Sequence, residues 1–223
     1  DEELALGFLV SEGVIAHAGD VIAIHHDRLA AVTEAEDNVL RVHLRPDLAV
    51  DLRALRRSGY ASASCGLCGK TTIAQTLRTA SALDDRAAFR SDFFYALPAQ
   101  LQTMQAAFAD TGGLHAAALV APDGHLLVTR EDVGRHNAVD KVIGWALRAQ
   151  RLPLAGHVLL VSGRISFEIT QKALAARLPV IAAVSAPSSL AIELATAAGM
   201  LLVGFLRHDR LNAYGAHSRL VAD

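Results

Sequence analysis

The chain has 223 residues, is 52% hydrophobic and carries a formal net charge of -2, with a pI near 6.6. That length can bury a sizeable core, in one domain with a small annex or in two small domains. The near-neutral charge offers no dominant surface for nucleic acid, and no uninterrupted apolar run reaches the roughly 20 residues that span a bilayer.

Leu4, Ala5, Phe8 and Leu9 recur at helical spacing behind Asp1-Glu2-Glu3 until Gly13 breaks the pattern, which predicts a short amphipathic helix packed on a core. The chain opens in that pattern without methionine, so residues upstream are expected. Val21 to Ile24 and Leu29 to Glu34 read as short strands. From Val39 to Arg45, Leu40, Val42 and Leu44 alternate with Arg41, His43 and Arg45, the signature of a half-buried strand, and Pro46 ends it. Asp47 is placed to cap a helix running to about Arg57. Residues 1–60 are therefore expected to form a small N-terminal α+β annex.

Residues 61–97 are read as a flexible cysteine loop and its connection. The small residues Ser58, Gly59, Ala61, Ser62, Ala63 and Ser64 lead into Cys65-Gly66-Leu67-Cys68-Gly69-Lys70, which holds the only two cysteines of the chain. Two thiols three apart, with glycine inside and after them, can face one side of a turn, so either can attack a sulfur carried by the other. A closed zinc site needs four ligands and would have to recruit histidines. A thioredoxin-type dithiol usually follows a strand and opens a helix, whereas the residues before Cys65 read as loop. Sulfur or electron traffic, a histidine-completed zinc site and an incidental glycine turn all stay open on spacing alone. The two cysteines and the lack of a signal-peptide pattern lead us to expect a reducing cytoplasm. Of 21 basic residues only Lys70, Lys141 and Lys172 are lysine. Arg56, Arg57 and Lys70 are placed to lower a thiol pKa, with a solvated basic face as the commoner alternative for any one of them.

Residues 98–223 carry the clearest pattern. After Pro98, Ala99 to Ala109 predict one helix stopped by Gly112 and Gly113. Leu114 to Ala121 and Leu126 to Arg130 predict a hairpin across the turn Pro122-Asp123-Gly124. Then helix Arg135 to Ala149, strand Val158 to Ser162, helix Ser166 to Arg177, strand Val180 to Ser185, helix Ser188 to Ala198 and strand Met200 to Leu206 alternate as βαβ units. The apolar runs at 158–161 and 180–184 read as strands buried on both faces. The fold class is α/β, a three-layer mixed sheet.

Ligands of open α/β sheets bind beyond the C-terminal ends of the strands, near helix N-termini. Four loops are expected to converge there: Glu131 to Asn137, Ser162 to Ser166, Ser185 to Ser189, and Arg207 to Arg210. Their small residues, hydroxyls and guanidinium groups suit a phosphorylated ligand of nucleotide size, with Asp132 or Asp209 available for a base or ribose; for any single loop ordinary helix capping, by Ser166 or Ser188, is the alternative.

The residues then resemble a known family, the formate dehydrogenase accessory sulfurtransferases FdhD. The resemblance rests on Glu3-Leu4-Ala5-Leu6-Gly7-Phe8, Ser11-Glu12-Gly13, Cys65 to Lys70, Thr111 to Ala117, Glu131 to Lys141, Ser162-Gly163-Arg164 and Gln171-Lys172. It implies a sulfurtransferase that receives persulfide sulfur from a cysteine desulfurase and passes it to the molybdenum cofactor, as the bis-molybdopterin guanine dinucleotide, before insertion into formate dehydrogenase. Cys65 would be the persulfide cysteine and Cys68 its partner. The cofactor contact would fall on Phe205, Leu206, Arg207, His208, Asp209 and Arg210, and a guanine nucleotide is expected to mimic the cofactor there. No resident metal, no nucleic-acid or membrane partner, and a homodimer are expected.

The family's fold is similar to that of cytidine deaminases, whose zinc chemistry needs His-x-Glu followed later by Pro-Cys-x-x-Cys. Here His115 is followed by Ala116-Ala117, and both cysteines lie upstream of it, so deaminase chemistry is not expected. His115 reads as a buried hydrogen-bonded histidine or a base near the sulfur. A cofactor chaperone without covalent transfer, and a zinc or dithiol enzyme using the CxxC, are the rival readings.

Overall fold

The computed structural model describes residues 1–26, 39–50 and 73–221. Among them the first helix, α1 (Glu2–Ser11), begins with the predicted acidic turn and ends before Gly13, whose φ of +71° suits glycine. Strands β1 (Val21–His26) and β2 (Leu40–Leu44) pair antiparallel, and β2 alternates half-buried and exposed side chains as expected. Asp47 does not start a helix within the described residues. It pairs with Arg45 at 3.2 Å, and the chain turns there, with Leu48 donating to the Arg45 carbonyl. The expected strand Leu29 to Glu34 and the rest of the expected helix to Arg57 lie outside the described residues.

The stretch before Pro98, which lacks a strong pattern, holds α2 (Ile73–Thr79), β3 (Phe89–Arg90) and α3 (Asp92–Tyr95). The single helix expected over Ala99 to Ala109 is two: α4 (Leu97–Thr103) and α5 (Ala106–Thr111). The break has a tertiary cause. The Glu131 carboxylate accepts from the backbone amides of Ala107 and Phe108 at 3.0 and 2.8 Å, capping a new N-terminus after Gln105.

The hairpin forms as predicted, from β4 (His115–Val120) and β5 (Leu126–Asp132). After it come α6 (Arg135–Arg148), β6 (Val158–Val161), α7 (Phe167–Ala175), β7 (Val180–Ala183), α8 (Ser189–Ala198) and β8 (Leu201–Gly204). Strands β9 (Asn212–Gly215) and β10 (Leu220–Val221) escape the sequence patterns. The main sheet has six strands in the order β5-β4-β6-β7-β8-β9. Strand β4 is antiparallel to both its neighbours, and β6, β7 and β8 are mutually parallel. Consequently β5, β6, β7 and β8 all run the same way, and the start of β4 lies at the edge where they end.

Both sheet faces are covered, which explains the continuous apolar runs of β6 and β7. On one face Leu119, Leu159, Ile181 and Leu202 pack with Val139 and Ile143 of α6, Ile169 and Leu174 of α7, and Leu194 of α8. On the other, Leu160, Val180 and Val203 meet Phe89, Phe94, Leu97 and Leu101. Among the described residues no helix is long and apolar enough to cross a membrane.

Helix α1 lies on the outer side of α6, burying Leu6 and Val10 in the same core. Two glycines permit the approach: a Cβ on Gly7 would overlap the carbonyl of Asp140, and one on Gly144 the carbonyl of Glu3. Glu3 also receives a bidentate pair from Arg130 of β5, at 2.6 and 2.8 Å. Gly7→Ala is therefore expected to destabilise the fold by about 3 kcal/mol or more. Gly19→Ala, where a Cβ meets open space, should stay within about 0.5 kcal/mol of wild type. Denaturant melts measure both, and equal midpoints for the two variants would contradict the close packing.

Candidate functional site

The four expected loops do come together at one edge, because their strands end there, and backbone hydrogen bonds stitch three of them into a strip. Ile165 donates to the Ala186 carbonyl at 3.1 Å, Ser188 donates to the Ile165 carbonyl at 2.9 Å, and Phe205 donates to the Ser185 carbonyl at 3.1 Å. The hydroxyls of Ser166 and Ser188 accept from Ile169 and Ala191, so both serines are helix caps as well as edge residues.

The loop after β5 is held from within. Asp132 accepts from the Gly134 amide at 2.8 Å, from Asn137 Nδ2 at 3.0 Å and from Lys141 Nζ at 2.6 Å. Burial works against the carboxylate, but these donors outweigh it and hold its pKa below the ordinary range. Lys141 also donates to the Glu131 carbonyl. Asp132 is thus committed to its own loop, and of the two aspartates weighed for a base or ribose only Asp209 is exposed.

Beside this loop the N-termini of α6 and α7 bring side chains face to face. His136 Nε2 lies 3.1 Å from Ser166 Oγ and 3.9 Å from Glu168 Oε2. Burial, with Arg135 next to it, lowers the His136 pKa to about 4 against the partial opposition of Glu168, so the ring is neutral near pH 7. A Cβ on Gly163 would lie 3.4 Å from His115 Nδ1 and 3.7 Å from Arg135 Cδ, so these two side chains flank the glycine. Ser162 Oγ accepts from the Ala116 amide at 2.9 Å and ties the loop to β4. Arg135 Nε and Glu168 Oε2 are buried atoms without a hydrogen-bond partner among the described residues. Glu168 was absent from the sequence expectations. Its signal was its place four residues before Lys172, in the first helical turn behind the Ser166 cap.

One turn deeper, Lys172 Nζ donates to both oxygens of Asp140 at 2.9 and 2.8 Å, and Ser11 donates to the same carboxylate at 2.8 Å. Burial pushes the Asp140 pKa upward, against the pull of Lys172. Both lysines that the structure describes therefore serve as compact ammonium anchors, a role that arginine's planar fork does not fill.

Of the residues expected to meet a cofactor, Phe205 has a φ of +52° and is 44% exposed, while Leu206 is fully buried and its N–H donates to the Ala183 carbonyl. Arg207 Nη1 donates to the carbonyls of Val184 and Leu206 at 2.7 and 2.8 Å, which shapes the turn. His208 and Asp209 sit 3.5 Å apart, and Arg210 is exposed. Cys65, Cys68, Lys70, Arg56 and Arg57 lie outside the described residues. Among the described residues no group of three or more histidine, cysteine, aspartate or glutamate side chains could hold a metal ion. Ala117, at the position of a deaminase's glutamate, is fully buried in β4.

A family model described as the FdhD/NarQ family matches residues 1–221. Proteins named sulfur carrier protein FdhD are similar: that of Mycobacterium tuberculosis is 50% identical over 227 residues, covering 99% of this chain and 82% of its own. The one of Streptomyces avermitilis is 47% identical over 224 residues, covering 99% and 79%. The archaeal one of Saccharolobus solfataricus is 40% identical over 220 residues, covering 99% and 79%. A crystal structure from Desulfotalea psychrophila, described as a formate dehydrogenase accessory protein, shares the fold with a TM-score of 0.72 at 23% identity, covering 99% of this chain and 79% of that one.

The buried histidine makes a pH prediction. Its native pKa of about 4 lies below the ordinary 6.5, so its contribution to stability is present above pH 6.5 and is lost as pH falls through 4. His136→Gln should flatten the stability profile across that window, and the ring of wild type should titrate near 4 by NMR. A midpoint near 6.5 would contradict the burial.

Proposed function

The chain belongs to the FdhD/NarQ family, and from that premise we propose that it is a sulfur carrier serving the maturation of formate dehydrogenase. The observation that carries the proposal is the match along residues 1–221, a span that includes Cys65 and Cys68, to proteins named sulfur carriers. In this reading the thiolate of Cys65 attacks the outer sulfur of a cysteine desulfurase persulfide. A new S–S bond forms on Cys65, the donor's S–S bond breaks, and the donor leaves as a thiolate. Cys68 then attacks the inner sulfur of Cys65-S-SH, expelling sulfide toward the molybdenum cofactor. A Cys65–Cys68 disulfide is left, which a dithiol reductant returns to the thiols with two electrons.

The cofactor is substrate here, taken as the bis-molybdopterin guanine dinucleotide. The gathering of four loops at one edge supports a site for it: the cap hydroxyls and the exposed Arg210 suit phosphates. We place the protein in the cytoplasm as a homodimer, and extend the mixed sheet with helices on its faces to a cytidine deaminase-like fold without deaminase chemistry.

Mass spectrometry after incubation with a cysteine desulfurase and cysteine tests the covalent step. One added sulfur is expected on the Cys65 peptide of wild type and none on that of Cys65→Ser. An unmodified wild type that still binds the cofactor would make the protein a chaperone without sulfur transfer, and stoichiometric zinc would favour a metal or dithiol enzyme. For the cofactor site, Arg210→Ala is the cleaner variant because Arg207 also shapes its turn. It should weaken GDP binding about 10-fold while leaving persulfide formation on Cys65 intact; unchanged affinity removes Arg210 from the site.

A further inference from the structure

Two histidines lie outside both the loop edge and the charged helical layer. His25 of β1 and His43 of β2 are exposed, and their rings stack with centres 4.9 Å apart and planes 18° from parallel. The register brings them together. His25 stands opposite Arg41 and His43 opposite Ala23, so the two histidines are diagonal neighbours on one face of the hairpin. Ile24 and Val42, paired between them, are half-buried on the other face, which fixes the histidines outward.

The hairpin is also remote from the loop edge. Helix α6 starts at that edge and runs back for 14 residues, roughly 20 Å. Val21 and Ile24 of β1 line a groove with Leu147 and Arg148 at the far end of that helix. A ligand of the hairpin is therefore separate from a ligand of the loops.

The chemistry of paired imidazoles limits what such a ligand is. A neutral imidazole keeps one ring nitrogen with a bare lone pair, and it is the form in which two rings stack without repulsion. That form is also the metal-binding one. Imidazole suits Zn²⁺, Ni²⁺ and Cu²⁺, whereas Mg²⁺ and Ca²⁺ take oxygen ligands. A metal–nitrogen bond of about 2.0–2.1 Å puts two ring nitrogens on one ion roughly 3–4 Å apart. Rings at the stacked separation reach that spacing by turning about their broad χ2 torsions, with the backbone unchanged. Two ligands do not close a site, so the remaining positions belong to water or to a donor on another molecule.

We propose that His25 and His43 form an open two-imidazole site for a divalent ion of the Zn²⁺, Ni²⁺ or Cu²⁺ class on the outer face of the β1–β2 hairpin. The site goes beyond the sulfur-carrier reading and does not rest on it.

Titration calorimetry of the full chain with nickel chloride tests it, in wild type and in the double variant Cys65→Ser, Cys68→Ser, where thiols no longer compete for the ion. The double variant should bind one Ni²⁺ per chain. In that background His25→Gln and His43→Gln, with folding checked by thermal melting, should each weaken binding at least about 10-fold, since even an outer-shell partner of a ligand is worth that much. Arg41→Gln should tighten it, because the guanidinium opposite His25 opposes a cation. His26→Gln, one residue along and so directed to the other side of the strand, should leave it unchanged. Failure of the double variant to bind Ni²⁺, an affinity unmoved by both His25→Gln and His43→Gln, or Mg²⁺ binding as tight as Ni²⁺ overturns the proposal. Its failure is distinct from that of the sulfur-carrier reading, which is read from the added sulfur on Cys65 of wild type.

Discussion

The buried pair between Asp140 and Lys172 is the constraint on which the arrangement of the helical layer depends. Asp140 is 2% exposed, and removing either partner of such a pair leaves an uncompensated charge worth about 3–5 kcal/mol. The two charges are compensated only if α6 and α7 meet in one register and α1 brings Ser11 to the same carboxylate. The glycine contacts between α1 and α6 let the backbones approach closely enough for that, and the Phe8 ring lies 5.6 Å from the Lys172 ammonium. Packing and charge neutralisation are thus one requirement in this layer.

The same register sets the edge of the sheet. His136 precedes Asp140 by one helical turn and Glu168 precedes Lys172 by one turn, so the pair that is neutralised below is repeated above as a histidine facing a glutamate. Below, the charges satisfy each other. Above, the ring is neutral and an oxygen of Glu168 has no hydrogen-bond donor among the described residues. This contrast between a closed polar layer and an open one separates structural anchors from residues able to meet a ligand.

The sheet supplies the rest of the geometry. Because β4 is antiparallel to both neighbours, β5 joins the parallel strands in ending at one edge, and His115 at the start of β4 reaches that edge from the other direction. Each loop there is partly closed on itself: Asp132 on its lysine and asparagine, the serines on their helix ends, Arg207 on its turn. In the proposed sulfur carrier, this rigid edge would hold the cofactor while the cysteine segment delivers sulfur to it.

By itself the sequence determined the elements whose signals are local. The hairpin with its Pro122-Asp123-Gly124 turn, the alternation of β2, the doubly buried β6 and β7 and the serine-capped helices were all legible, because side-chain period and turn chemistry are encoded within a few residues. So were the cysteine motif and the gathering of four loops, since strand direction follows from the βαβ order. Only the tertiary structure decided the break before α5, where a carboxylate 24 residues away caps the new helix. It also decided that Asp132 turns inward, that Leu206 is core, and that Glu168 stands opposite His136. The physical reason is the same in each case: a buried polar group takes its partner from whichever element the fold brings beside it, and no local pattern records which element that will be.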